Sequence, residues 1–186
     1  MNKAIFLDRD GTIIKDKGYI NSPKDVIFYD FTFNSLRKLQ QDYKLFIVTN
    51  QQGIAKGLID HEELGEIHNY ILSRFEEERI RIEKIYYCPH SAEDNCECRK
   101  PKTRFVEEAA GEYNIDLKNS YVIGDHLSDA LLGYNAGAKG IYVLTGHGPK
   151  HLKLIPPEIK HRIIVAKSLK FAVTIILNSK PINKMK

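Results

Sequence analysis

Five short apolar segments, separated by stretches of helical periodicity, are the feature that most narrows the folds open to this chain. The segments are rich in β-branched and aromatic residues, as buried strands are, and cover residues 3–8, 44–50, 82–88, 120–125 and 140–145. Apolar residues recur at helical spacing between them, in residues 32–42, 61–79, 103–113 and 128–136. The second of these helices opens with a capping pair, Asp60 and Glu63. Strands and helices in alternation predict an α/β fold with a parallel sheet and right-handed crossovers.

The end of the chain continues the same pattern. A short apolar run at residues 162–165 predicts a further strand, and a helix is expected from Ser168 to about Asn178. Residues 171–177 are apolar but too few to span a bilayer, so we expect them in the core. Because 186 residues suit one domain, and no repeat or low-complexity linker interrupts them, we predict a single Rossmann-like domain over residues 1–186.

Amino-acid composition limits which binding partners and which cellular compartment we expect. Hydrophobic residues make up 42% of the chain and charged residues 28%, which is ordinary for globular proteins and argues against disorder. The net charge of +4 is spread along the chain and gives no reason to expect nucleic acid. The apolar run near the N-terminus is too short for a signal peptide. We therefore expect a cytoplasmic monomer that binds neither nucleic acid nor membrane.

Polar residues follow four of the predicted strands at the point where each strand ends. They form the segments DRDGT (8–12), TNQQG (49–53), CPH (88–90) and GDHLSD (124–129). Ligands of open α/β sheets bind outside the carboxyl ends of the strands. All four segments are therefore expected to face one crevice.

Acidic residues converge on this crevice. Asp8 and Asp10 end the first strand, Gly11 lets the chain turn sharply, and Asp125 ends another strand. Carboxylates that converge repel one another unless a cation lies among them, and hard oxygen ligands suit Mg²⁺. A turn with solvated acids is the alternative. An EF-hand fits poorly, because the glycine stands at loop position four and Tyr19 replaces the usual glutamate at position twelve.

A divalent cation beside a free carboxylate suggests phosphate chemistry, in which the carboxylate attacks phosphorus. Thr49, Asn50 and Lys100 offer a hydroxyl, an amide and an ammonium group that suit phosphoryl oxygens. Alternatively, Thr49 is a turn residue at a strand end and Lys100 is a surface lysine. The later segment TGHG (145–148) is either a phosphate-binding backbone or a glycine-rich turn.

All three cysteines of the chain lie in the segment CPHSAEDNCEC, residues 88–98. Cys88, His90, Cys96 and Cys98 supply three thiolates and one imidazole, the ligand set of a closed tetrahedral Zn²⁺ site. Four protein ligands leave no position for water, so we predict a structural zinc that fixes the loop preceding Arg99. Reduced surface thiols with a chance histidine are the alternative.

The segments DRDGT, TNQQG, RKP and GDHLSD, in this order, resemble the four motifs of the haloacid dehalogenase (HAD) superfamily of phosphatases. The resemblance covers about residues 3–148. It implies that Asp8 is the nucleophile that becomes an aspartyl phosphate, and that Asp10 protonates the leaving group and then activates water. It also implies that Thr49 and Lys100 stabilise the phosphoryl group. The implied Mg²⁺ ligands are Asp8, the main-chain carbonyl of Asp10, and Asp125, with Asp129 as a supporting acid.

Within the superfamily, the zinc loop followed by CRKP (98–101) resembles two groups, the D-glycero-D-manno-heptose 1,7-bisphosphate 7-phosphatases and the histidinol-phosphate phosphatases. Both lack a large cap domain and have short loops over the site. The segments DKGY (16–19) and TNQQGIAKG (49–57) are similar to substrate loops of the heptose enzymes, whereas the five residues between His90 and Cys96 match the histidinol type. His126 stands where many heptose enzymes have a substrate-contacting lysine. The implied substrate contacts are Asp16, Gly18, Tyr19, Asn50, Gln51, Gln52, Arg99 and His126.

The function implied by this resemblance is hydrolysis of a small phosphorylated metabolite, the 7-phosphate of heptose 1,7-bisphosphate, with histidinol phosphate as the alternative substrate. A 3′-phosphatase for nucleic-acid ends shares the acidic motifs, but the chain has no basic stripe to hold a strand. A non-catalytic phosphate-binding scaffold would not need a nucleophile and an acid together.

Overall fold

The computed structural model describes residues 1–179, so the last seven residues of the predicted domain, 180–186, lie outside the described part. One sheet of six parallel strands runs through it: β1 (Ala4–Leu7), β2 (Lys44–Asn50), β3 (Ile82–Cys88), β4 (Tyr121–Gly124), β5 (Lys139–Val143) and β6 (Ile163–Ala166). The strand order is β3-β2-β1-β4-β5-β6, and all pairings are parallel. The predicted Rossmann-like α/β fold is confirmed.

Helices pack against both faces of the sheet. They are α1 (Thr32–Leu39), α2 (His61–Glu77), α3 (Arg104–Tyr113), α4 (Leu127–Asn135), α5 (Gly148–His151), α6 (Pro157–Lys160) and α7 (Leu169–Asn178). Alternate residues of β1 point to opposite faces, as strand geometry requires. Ile5 and Leu7 belong to the core shared with α1, α2 and α7, whereas Ala4 and Phe6 belong to the core shared with α3.

Local sequence signals account for several helix boundaries. Asp60 and Glu63 form the predicted capping box at the start of α2, with both hydrogen bonds at 2.8 Å. The helix stops at Glu77, two residues before the predicted end, because Arg79 adopts a left-handed conformation with φ of 56°. Of the segment 171–177 predicted for the core, Ala172, Val173 and Ile176 in α7 are buried, whereas Phe171 is exposed because it lies on the opposite side of the helix turn. Within residues 1–179, no helix is long and apolar enough to cross a membrane.

The strand order fixes where a ligand can bind. The chain moves from β1 outward through β2 to β3, then returns to the other side of β1 to place β4. At such a reversal the loops after the two central strands separate and leave a crevice at the carboxyl edge. Asp8 follows β1 and Asp125 follows β4, so both stand at this reversal. In the described part of the chain, loops rather than a second domain cover the crevice.

Candidate active site

Asp8 lies at the floor of the crevice in contact with Lys100. The Lys100 Nζ donates to Asp8 Oδ1 at 2.6 Å and to the Val48 carbonyl at 2.8 Å. It also forms an ion pair with Asp129 Oδ1 at 2.6 Å. Lys100 is only 5% exposed, so it is a buried ammonium group and not a surface lysine. Burial alone would lower the pKa of Lys100, but Asp129 and Asp8 outweigh burial and the net shift is upward.

Asp125 is completely buried, and its carboxylate lies close to that of Asp8. Its Oδ2 accepts a hydrogen bond at 2.7 Å from the main-chain N–H of His147, whereas its Oδ1 has no hydrogen-bond partner among the described residues. Burial first, and then the nearby Asp8 and Asp129, raise the pKa of Asp125 to about 9. Burial likewise raises the pKa of Asp8 to about 7, although Lys100 opposes the shift.

These carboxylates fit a divalent cation. Asp8, Asp125 and Asp129 each offer an oxygen, and the three oxygens lie within 4.8 Å of one another. Each carboxyl group is buried, and one oxygen of Asp125 is unpartnered, so a cation would satisfy groups that the protein leaves unsatisfied. Oxygen donors at this density suit Mg²⁺. The Asp10 side chain lies outside this trio, and its contribution through the main-chain carbonyl stays a prediction.

Gly11 and Gly124 make room for the acidic cluster. Gly11 has φ of +76°, and a Cβ at this position would overlap the carboxylate of Asp125. A Cβ at Gly124 would overlap the carboxylate of Asp129. Any other residue at either position would displace an acid, and at Gly11 it would also strain the backbone.

The Asp10 carboxylate is held by a buried network that the sequence did not reveal. Arg9 donates to both carboxylate oxygens, from Nε at 2.9 Å and from Nη2 at 3.2 Å. Gln51 donates to Asp10 Oδ2 at 3.1 Å and to Thr49 Oγ1 at 2.8 Å, and it accepts from Arg9 at 3.1 Å. Gln51, predicted to contact substrate, thus also links Asp10 to Thr49.

The buried side chain of Arg9 contacts His68 of α2. Arg9 is 1% exposed, and its Nη1 lies 3.2 Å from His68 Nε2. Burial, and then the neighbouring Arg9, lower the pKa of His68 to about 3, so the imidazole is neutral at physiological pH and can accept from the guanidinium. The only sequence signal was the position of Arg9 between two aspartates at the end of a buried strand.

The four predicted zinc ligands meet at one point. The sulfur atoms of Cys88, Cys96 and Cys98 lie 3.3–3.6 Å apart, and His90 Nδ1 lies 3.6 Å from the Cys88 sulfur and 3.3 Å from the Cys98 sulfur. These separations are far longer than a disulfide and close to the edges, roughly 3.6–3.8 Å, of a tetrahedron of ligands around zinc. Burial raises the pKa of the Cys88 thiol, so a metal that binds here must displace its proton.

The crevice opens into a cavity of about 450 Å³. All eight predicted substrate contacts line it: Asp16, Gly18, Tyr19, Asn50, Gln51, Gln52, Arg99 and His126. Arg99 is fixed at the mouth, because it donates to the His90 carbonyl at 3.1 Å and to Gln52 Oε1 at 3.4 Å. Gly53, Ser128 and His147 also line the cavity; each lies in a segment that the sequence indicated, but none was named individually as a site residue.

The TGHG segment forms a turn. Gly148 N–H donates to the Thr145 carbonyl at 2.8 Å, and Thr145 Oγ1 donates to the Gly11 carbonyl at 2.5 Å. The segment therefore matches the second predicted alternative, a glycine-rich turn. The main-chain N–H of His147 in this turn donates to Asp125 and so positions its carboxylate.

Residues 97–171 match the model of the HAD-hydrolase-like family. The D-glycero-alpha-D-manno-heptose-1,7-bisphosphate 7-phosphatase of Campylobacter jejuni is 46% identical over 135 residues, which make up 72% of this chain and 77% of that protein. This chain belongs to the HAD-like hydrolases. The resemblance predicted from the four motifs is therefore confirmed.

The D-glycero-beta-D-manno-heptose-1,7-bisphosphate 7-phosphatase of Helicobacter pylori is 41% identical over 145 residues, 77% of this chain and 84% of that protein. A histidine biosynthesis bifunctional protein of Buchnera aphidicola is 40% identical over 144 residues, but the match covers only 40% of that longer protein. A crystal structure of the D,D-heptose 1,7-bisphosphate phosphatase from B. bronchiseptica, complexed with magnesium and phosphate, has a TM-score of 0.86 and 30% identity. The similarity covers 96% of this chain and 99% of that one.

Proposed function

We propose that this HAD-like hydrolase removes the 7-phosphate of D-glycero-D-manno-heptose 1,7-bisphosphate. The observation that carries the proposal is the contact between Asp8 and the buried Lys100 at the floor of a cavity lined by all eight predicted substrate contacts. Relatives and a structural neighbour that match this chain over most of their length are heptose bisphosphatases, and this similarity supports the choice of substrate.

The reaction we propose has two displacements at phosphorus. The Asp8 carboxylate attacks the phosphorus of the 7-phosphate, the bond from phosphorus to the sugar oxygen breaks, and that oxygen takes a proton from Asp10. Water then attacks the aspartyl phosphate while Asp10 takes a proton from it, and inorganic phosphate leaves. Arg9 and Gln51 hold Asp10 in one position throughout.

Positive charge and hydrogen-bond donors stabilise the phosphoryl group as it moves. Lys100 Nζ stands 2.6 Å from Asp8 Oδ1, so it is placed to contact a phosphoryl oxygen on that carboxylate. Thr49 lines the same cavity, and its hydroxyl accepts a hydrogen bond from Gln51. Asp8, Asp125 and the main-chain carbonyl of Asp10 would hold Mg²⁺, with Asp129 in support, and the bound ion would neutralise phosphoryl charge and keep Asp8 ionised.

The zinc loop has a structural role in this proposal. Cys88, His90, Cys96 and Cys98 would bind Zn²⁺ with four protein ligands, which leaves no open position for chemistry. The main-chain carbonyl of His90 accepts from Arg99, so a fixed loop places this guanidinium at the mouth of the cavity. There Arg99 can bind the second phosphate of a bisphosphate through parallel hydrogen bonds.

Histidinol phosphate is the second candidate substrate. The spacer of five residues between His90 and Cys96 favours it, as does the identity to the bifunctional histidine-biosynthesis protein. A substrate with one phosphate would leave Arg99 without an anionic partner. The position of Arg99 therefore favours the bisphosphate.

Conversion of Asp8 to asparagine tests the mechanism, because an amide is a far weaker nucleophile. We expect Asp8→Asn to release no phosphate and to form no acid-stable phosphoryl-enzyme, and Asp10→Asn to fail in proton transfer. Asp30→Asn is a matched control at an exposed aspartate. Phosphate release near the wild-type rate by Asp8→Asn, measured with zinc and Mg²⁺ present, would rule out the aspartyl-phosphate route.

A further inference from the structure

Three of the seven histidines of the chain meet beside the cavity. His126 precedes the first residue of α4, and His147 and His151 stand at either end of α5. Each offers a ring nitrogen, and the three nitrogens lie within 4.8 Å of one another. The ring centroids are 4.8 Å apart for His126 and His147, 5.0 Å for His126 and His151, and 5.3 Å for His147 and His151.

The charges of the three rings favour a metal ion over an anion as their common ligand. An anion binds most strongly to protonated imidazoles, and three positive charges this close would repel one another. Neutral imidazoles instead present lone pairs that a cation can take up. The spacing of His147 and His151, four residues apart along one helical turn, is also the spacing at which two side chains share a helix face.

We propose that His126, His147 and His151 form a binding site for one divalent transition-metal ion, separate from the carboxylate cluster and from the cysteine loop. All three donors are imidazole nitrogens, which suit Zn²⁺, Ni²⁺ and Co²⁺ rather than Mg²⁺. Three nitrogens around a tetrahedral ion lie about 3.4 Å apart, so the rings need to close by roughly 1 Å. All three side chains are partly exposed and can rotate by this amount.

Asp16 contacts His147, one of the three proposed metal ligands. Its Oδ2 lies 2.5 Å from His147 Nε2. A carboxylate on one nitrogen of a metal-binding histidine fixes the tautomer and makes the other nitrogen a better donor, and this is the usual outer partner of such histidines. Asp16 therefore orients His147 for the metal, in addition to its predicted place among the substrate contacts.

The site does not depend on the identity of the substrate. Three protein nitrogens leave at least one coordination position open. His126 and His147 line the cavity, whereas His151 does not, so the bound ion stands at the cavity wall.

The experiment uses full-length protein with one equivalent of zinc in the cysteine loop and with excess Mg²⁺. Ni²⁺ is titrated in by calorimetry, and absorption from nickel bound to thiolate is monitored to show that the zinc stays in place. We expect one saturable equivalent of Ni²⁺. His151→Gln should weaken its binding at least about tenfold, and Asp16→Asn should weaken it by about 10–100-fold, as loss of an outer partner does elsewhere.

His161→Gln is the matched control, because His161 is exposed on another segment and should bind Ni²⁺ as the wild type does. If His151→Gln fails to fold, broadening of imidazole signals by Ni²⁺ in the wild-type protein gives the same test. His126, His147 and His151 should broaden before His61 and His161. Absence of a saturable site, or equal Ni²⁺ affinity in the His151 and His161 variants, would overturn the proposal.

Discussion

Substitution Lys100→Met removes a buried ammonium group while it keeps most of the volume of the side chain. Lys100 contacts Asp8 and Asp129 at 2.6 Å each, and the tip of its side chain is almost fully enclosed. Loss of one partner of a buried ion pair leaves the other charge uncompensated and costs about 3–5 kcal/mol. For a chain of this size each kcal/mol lowers Tm by about 2–4 °C, so we expect a decrease of about 6–20 °C.

The same substitution should slow catalysis, because Lys100 is placed to donate to the phosphoryl group. Removal of one such donor lowers kcat by about 10²–10³-fold in other enzymes, and we expect a loss in this range. Mg²⁺ should restore part of the lost stability by neutralising the remaining carboxylates, but it should not restore the rate. Thermal melts with and without Mg²⁺, together with a phosphate-release assay, measure both effects.

Lys102→Met is the matched control for this prediction. Lys102 is two residues away, is exposed, and pairs with the exposed Glu97 at 2.8 Å. Surface pairs of this kind contribute about 0–1 kcal/mol, so this variant should keep nearly wild-type stability and rate. A Lys100→Met protein with wild-type Tm and kcat, or a Lys102→Met protein equally damaged, would refute the assignment of Lys100 as the buried cation of the site.

Three further predictions concern the effect of pH on Mg²⁺ binding, the role of Gly11, and the removal of zinc. The raised pKa values of Asp8, about 7, and Asp125, about 9, mean that the folded metal-free protein holds protons that the unfolded chain releases. The contribution of these two carboxyl groups to stability should therefore fall as pH rises from about 4 to about 9. Mg²⁺ should raise Tm more at pH 8 than at pH 6, and an equal increase at both pH values would contradict this. Gly11→Ala should lose Mg²⁺ binding and activity, because the new methyl group overlaps Asp125, and calorimetric titration with Mg²⁺ measures the loss. Removal of zinc by a chelator should lower both Tm and kcat/KM, and added Zn²⁺ should restore both. Native mass spectrometry checks that the metal has left. A zinc-free, folded protein with full activity would argue against the structural role.

The positions of Asp8 and Asp125 were predictable from topology, because each follows a strand of a parallel sheet and all such strand ends lie at one edge. Lys100 lies 92 residues after Asp8, beyond the cysteine loop, and strand order alone did not distinguish it from a surface lysine. Its place beside Asp8 was implied only by the resemblance to the family. The meeting of Cys88, His90, Cys96 and Cys98 was predictable for a different reason, because their chemistry and short spacing leave few other arrangements.

The residues that the sequence missed depend on packing between distant elements. His68 reaches Arg9 only because α2 turns that side of the helix toward the sheet, and local periodicity does not separate a core histidine from a ligand. His151 joins His126 through α5, a helix of four residues that is too short to leave a periodic signal. Contacts of this kind follow from the three-dimensional arrangement of α2, α4 and α5, which no local pattern specifies.

The most direct test of the central proposal is kcat/KM for phosphate release from both anomers of D-glycero-D-manno-heptose 1,7-bisphosphate, beside histidinol phosphate and a 3′-phosphorylated oligonucleotide. The protein is assayed with zinc and Mg²⁺ bound, and the sugar product is identified by ³¹P NMR. We predict that one heptose anomer exceeds histidinol phosphate by about a hundredfold or more, equivalent to about 2.7 kcal/mol of transition-state binding, and that the product keeps its 1-phosphate. A higher kcat/KM for histidinol phosphate, or release of the 1-phosphate, would contradict the proposed function.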